Sequence, residues 1–274
     1  MVSKLLLLAA LSGVNATPQQ SLCDKYTVAL LKDNTAANQY TLLQLVVNTV
    51  VIGNYTQPNV GIAVPGILAP ATYGGEAVDL LPYFNGCLKS SNRGHPVAIN
   101  FLDGGGAASV IDGSLLQMTS TNQYKLFTHL YEFFGTLLGC SMQGMSGFPA
   151  YAGQPGMFQV HKYMSLDPNE VGYFISQVGA AAASFGVSAA DVQTVAGLLS
   201  ATFNVACAPA QALVNGDSEF QSICDHKDCP KAPNAVCYKY EHYGFFPEPK
   251  SVGGASCPAS GDYGGGGGYE HREW

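Results

Sequence analysis

The sequence predicts an all-α fold, and three observations carry that expectation. Apolar residues recur at helical spacing in four separate segments; two of these segments open with strong capping signals; and two-residue alternation, the mark of half-buried strands, is nearly absent. The first long helix is expected over residues 38–52, with Leu42, Leu45, Val46 and Thr49 on one face and a stop at Gly53. Residues 54–112 are rich in Gly, Pro and Tyr and hold only short apolar pieces, so an irregular insertion (about 54–115) with a short helix or two is expected, closed partly by a cystine from Cys87. Its triplet Gly104-Gly105-Gly106 lacks the Lys-Ser/Thr ending and the strand-to-helix setting of a phosphate loop.

A helix follows from Tyr124 to the Gly139-Cys140 pair. One stripe of Leu126, Leu130, Phe133 and Leu137 shares a face with His129, and a second of Phe127, Tyr131, Phe134 and Leu138 covers the other side, as a nearly encircled helix requires. In Met157-Phe158-Gln159-Val160-His161-Lys162-Tyr163-Met164, the residues Met157, Val160, His161 and Met164 share one stripe. Asp167-Pro168-Asn169-Glu170 supplies an N-cap, a first-turn proline and a capping-box glutamate ahead of Val171, Phe174, Ile175 and Val178. Ser188 with Asp191 repeats the device, and the two helices form a hairpin across Gly186.

An imidazole on an apolar face can offer a neutral nitrogen to a metal, or simply bond a backbone carbonyl in the core. The order of the motifs shifts the balance toward the metal for this chain. The segment from Tyr124 to Gly139, then Pro149-Ala150-Tyr151-Ala152-Gly153, Met157 and Val160-His161, then a helix, the turn Gly186-Val187-Ser188 and a last helix, resembles the truncated globins over about residues 122–207. That resemblance implies a globin-like bundle that binds haem, with His161 as proximal iron ligand, His129 as second axial ligand facing it across a flat slot, and Leu126, Leu130, Phe133, Phe134, Met157, Phe158 and Tyr163 as pocket walls. The chain differs from the family in lacking the early Gly-Gly pair and the distal tyrosine, where Thr49 to Val51 stand instead. Two imidazoles on iron suit electron transfer, redox sensing or small-ligand binding, with a gaseous ligand or a redox protein as partner. No catalytic residue is expected: Gly-x-Ser-x-Gly and His-Glu-x-x-His motifs are missing, and peroxidase or nitric-oxide oxidation activity would come only from the resemblance.

Residues 1–16 read as a signal peptide, with Lys4, an apolar run over 5–11 and Val14-Asn15-Ala16, so the chain is expected to be secreted. The eight cysteines then read as four disulfides. Cys140 and Cys207 each close a helix, and that pair is expected to join; spacing leaves the other connectivities open. His226, among Cys224, Cys229 and Cys237 with His242 beyond, has the ligand types of a zinc site, but oxidation competes for the thiols in an exported chain. Asn54-Tyr55-Thr56 is a glycosylation sequon that would place its loop on the surface.

The expected organisation is a helical domain over 17–210 and a Cys-rich extension over 211–274 that ends in a glycine-rich tail. Charged residues make up only 11% of the chain, with 12 basic against 19 acidic, which gives no basic footprint for nucleic acid or for an anionic membrane surface. A second reading is a cofactor-free, disulfide-braced helical protein that uses its insertion and tail for interaction, assembly or self-association.

Overall fold

The computed structural model describes residues 20–56, 60–214, 216–241, 245–253 and 257. The segment expected to be a signal peptide, His242 and the glycine-rich tail lie outside them. Eight α-helices are present among the described residues, joined by two small hairpins, which matches the expected helix-rich class.

Helix α1 (Leu22–Leu31) is capped by Ser21, whose Oγ accepts the Asp24 N–H, and it buries Cys23 and Thr27. Sequence analysis did not anticipate it. Helix α2 (Ala36–Ile52) begins two residues earlier than expected, behind Thr35, and ends at Gly53 with φ 84°. Its core-facing set is Leu42, Leu43, Val47, Val50 and Val51, so Leu45 and Val46 are turned further toward the surface of the core than the sequence stripe implied. Two buried polar side chains mark where α2 meets its neighbours. Gln39 reaches Asp24 and Asn34 through Nε2 and accepts the Met142 N–H, while Asn48 accepts from the Tyr131 hydroxyl at 2.6 Å.

The chain leaving α2 doubles back over its end. Ile67 and Leu68 donate to the Val50 and Val51 carbonyls, supplying partners that a helix terminus otherwise lacks. This crossing requires glycine, because a Cβ on Gly66 would sit 2.3 Å from the Gly53 nitrogen, and Gly66 itself has φ 82°. The insertion then forms hairpin β1 (Ala71–Tyr73) with β2 (Glu76–Val78), helix α3 (Leu81–Phe84), hairpin β3 (Ser91–Asn92) with β4 (Pro96–Val97), helix α4 (Gly106–Ile111) and a 3-10 turn at Ser114–Gln117. The short helices were expected; the hairpins were not.

Helix α5 (Asn122–Leu137) starts at Thr121 and is also held by Asp103, whose carboxylate accepts the Asn122 and Gln123 N–H groups. Helix α6 (Met157–His161) is a single short turn. Helix α7 (Pro168–Ser184) carries the full capping box: Asp167 accepts from Asn169 and Glu170, and the Glu170 carboxylate accepts the Asp167 N–H. Helix α8 (Ala189–Phe203) begins at Ser188 and packs on α7 through the turn at Gly186, φ 86°, as the sequence predicts. Helices α1, α5 and α7 all pack on α2.

Residues 206–240 pack tightly onto this body. Phe158 donates its N–H to Phe220, Asp225 to Leu166, and the Phe158 and Tyr240 rings meet at 4.6 Å, so the segment buttresses α6. The disulfides are Cys23–Cys140, Cys87–Cys257, Cys207–Cys237 and Cys224–Cys229. The expected Cys140–Cys207 pair is therefore corrected. Cys140 follows α5 at the place where Leu138 accepts the Cys23 N–H of α1, whereas Cys207 sits in a turn that closes on Cys237 through the Val236 N–H to Cys207 carbonyl bond.

Candidate functional site

Between α5 on one side and α6, α7 and α8 on the other lies a cavity of about 200 Å³, with α2 as its floor. From α5 it takes Leu126, Leu130, Phe134 and Leu138, a four-residue period that keeps one narrow stripe of the helix toward the space. The floor is Leu42, Leu43, Val46, Val47, Val50 and Val51, and the far wall includes Val171, Phe174, Val178 and Ala182 of α7. Phe134 and Phe174 touch across it, with ring centroids 6.5 Å apart. Helix α1 contributes Leu22, Cys23 and Tyr26 at one end.

His161 lines the opposite end. Its Nδ1 lies 2.8 Å from the Met157 carbonyl. A carbonyl only accepts, so Nδ1 carries the proton, and burial lowers the imidazole pKa below its usual range, so the ring is neutral at pH 7. Nε2 therefore presents a lone pair. It has no partner among the described residues, and the half-buried ring is part of the cavity lining. The short α6 turn sets this direction by placing Met157 one turn before His161, and the buttress behind it fixes Met157, whose N–H donates to Gln221 Oε1 at 3.1 Å.

Two further polar groups share that end. Glu170, from the capping box of α7, accepts a hydrogen bond from the Tyr83 hydroxyl at 2.9 Å, and Tyr83 also approaches the Met164 carbonyl. Burial pushes the Glu170 carboxyl up to about 7, against the pull of the Asp167 N–H and the Tyr83 hydroxyl, and pushes the Tyr83 phenol well above its usual range. At the other end, the Tyr26 hydroxyl turns outward to Asp191 (2.5 Å) and accepts the Ser188 N–H, while Lys25 pairs with the same carboxylate.

Of the residues expected from the sequence, His161, Leu126, Leu130 and Phe134 meet at this cavity. His129 does not. It sits exposed on the outer side of α5 with its ring edge-on to Tyr151 at 6.1 Å, next to Phe133, which packs on Tyr151 and Phe203. The reason is angular: one residue before Leu130 lies about 100° round the helix from it. Phe158 and Tyr163 face the C-terminal buttress through Tyr240 and Phe246, and Met157 contributes its carbonyl rather than a cavity wall.

The α2 floor, Glu170 and Tyr83 were missed. Glu170 reads in the sequence as a cap, and nothing in its local sequence distinguishes a capping carboxylate that also lines a cavity. Around His226 the zinc ligand types are used up in cystines, Cys224 with Cys229 and Cys237 with Cys207; His226 instead faces Asp228 and Glu248. Asn54 is exposed just beyond α2, with its Oδ1 accepting the Val64 N–H. No family model, curated protein or solved structure matches the chain.

Proposed function

We propose that this protein is an exported, globin-like haem-binding protein whose iron ligand is His161. The observation that carries the reading is a neutral His161, its Nδ1 held by a carbonyl and its Nε2 without a described partner, in the wall of an aliphatic cavity between α5 and α6–α7. The imidazole and the apolar walls fit the iron and the macrocycle, while the haem carboxylates would have to lie outside this lining, which holds no Lys or Arg among the described residues. A neutral imidazole ligates iron, its second nitrogen held by a backbone carbonyl in the manner that orients metal-bound histidines, and the walls exclude water. Haem would bring iron redox and ligand chemistry to the site. The chain's own part is to hold the His161 proton on Nδ1, to present Nε2, and to keep the space dry.

On this reading α2, α5, α6, α7 and α8 are the haem-enclosing helices of the globin arrangement, and residues 54–115 are an insertion in it. His129 is no second ligand in this arrangement, because reaching the cavity would require α5 to turn by about 100°. One protein ligand favours small-ligand binding over electron transfer. Four cystines, and no described helix long and apolar enough to cross a membrane, accord with export to an oxidising compartment.

The test is an absorption titration of the disulfide-intact protein with haemin, for wild type, His161→Ala and His129→Ala. Saturable binding that is lost in His161→Ala and retains the wild-type spectrum in His129→Ala is expected. Binding that survives His161→Ala, or no saturable binding in the folded wild type, overturns the proposal.

A further inference from the structure

We propose that the same cavity also takes an uncharged apolar alcohol, with its hydroxyl donated to His161 Nε2 and its hydrocarbon body extended between α5 and α7 toward α1. This occupant is an alternative to haem and does not depend on the haem reading.

The cavity is long and has a polar end and an apolar end. Leu126 to Leu138 on α5 and Glu170 to Ala182 on α7 both line it, and twelve residues of helix at 1.5 Å each span roughly 18 Å. The polar groups gather at one end of that length. His161 offers an unpartnered acceptor, and Tyr83 bonds both Glu170 and the Met164 carbonyl, one turn from His161. At the other end the ring of Tyr26 closes the space while its hydroxyl is engaged outside, on Asp191 and Ser188. Between the two ends the lining is aliphatic and aromatic. A ligand that satisfies this surface has a polar atom at one tip only.

Charge selects the tip. Among the described residues the lining holds no Lys or Arg and a single carboxyl, Glu170, which is faced by Asp167 and Glu248. A carboxylate head would meet acidic groups and no cation. An ammonium head would need an ionised partner, and both Glu170 oxygens already accept hydrogen bonds, from Tyr83 and from the Asp167 N–H. What the end lacks is a donor for Nε2, and a hydroxyl supplies one without charge. A straight-chain alcohol and a sterol share this chemistry.

The experiment is displacement of the neutral fluorescent probe N-phenyl-1-naphthylamine from the disulfide-intact full chain by dodecanol, cholesterol, dodecanoate, dodecylamine and dodecane. Dodecanol or cholesterol is expected to displace at least about tenfold more effectively than the other three, the discrimination that one hydrogen bond gives in a dry site. Whichever alcohol leads identifies the source. With each ligand's affinity corrected for the probe's own affinity in the same variant, His161→Phe should weaken that alcohol about tenfold relative to dodecane, and His161→Gln, which keeps an acceptor, should restore part of the loss. Equal or better displacement by dodecanoate, dodecylamine or dodecane, failure of both alcohols, or an alcohol affinity indifferent to His161→Phe overturns the proposal. Haem binding is read separately by absorption, so the two readings fail independently.

Discussion

Glu132 shows how a single side chain can couple this fold to pH. It is only 8% exposed on α5, and burial pushes its carboxyl up to about 7, with the Ala152 N–H pulling the other way. The folded carboxyl thus holds its proton between its ordinary value of 4.5 and about 7, where the unfolded chain has released it. Its stabilising contribution is complete at the acid end of that window and is lost as pH rises through 7. Glu170 acts in the same sense, while His161, lowered by burial, opposes both once pH falls below its ordinary 6.5. Glu132→Gln should therefore raise the melting temperature at pH 8 relative to wild type and leave it unchanged near pH 4.5. After screening by solvent the gain is about 1 kcal/mol, or roughly 2–4 °C for a chain of this size. Equal shifts at both pH values, measured by scanning calorimetry, would argue against this account. At this scale the structure sets His161 in the cavity wall and His129 exposed beside Tyr151. Both stand in apolar runs, and the contacts of Tyr131 with Asn48 and Tyr40 of α2 show which way α5 is turned.

Among the elements, the helices with local signals were legible and those without were not. The α7 and α8 termini sit where Asp167, Pro168, Glu170 and Ser188 put them, because a side-chain cap acts over three residues and needs no tertiary partner. Asp167→Ala should cost about 1 kcal/mol in urea unfolding, within the usual 0.5–2 kcal/mol for loss of a cap. The bond from the residue-167 N–H to the Glu170 carboxylate is made by the backbone and survives the substitution, so probe affinity at the cavity should stay unaltered while stability falls. Helix α1 escaped notice because its ten residues bury only Cys23 and Thr27, and its place is fixed from outside by Cys140, Gln39 and Asp191. The hairpins escaped because strands of two or three residues leave no alternation to detect. They are held instead by packing, as where Tyr73 lies over Gly172, whose missing side chain makes room for the ring.

The whole molecule is tied together by cystines that link distant parts. Cys23–Cys140 spans 117 residues and joins α1 to the end of α5 at the rim of the cavity, whereas Cys224–Cys229 spans five. Closing the long loop restricts the unfolded chain far more than closing the short one. The Cys23→Ser/Cys140→Ser protein should lose about 2–5 kcal/mol of stability, clearly more than Cys224→Ser/Cys229→Ser loses, and equal losses in denaturant titrations would contradict the chain-entropy explanation.

What the sequence alone determined is what short-range physics controls: the helix-rich class, the capped starts of α7 and α8, and the stop at Gly53; the stripe drawn through His161 was not kept, because Val160 is exposed. The tertiary structure decided what depends on residues far apart in the chain. It chose the cystine partners, folded residues 206–240 against α6, turned His129 outward, and brought Glu170 and Tyr83 to the end of the cavity beside His161. Periodicity tells which residues of a helix share a face, but only the neighbouring helices determine where that face points.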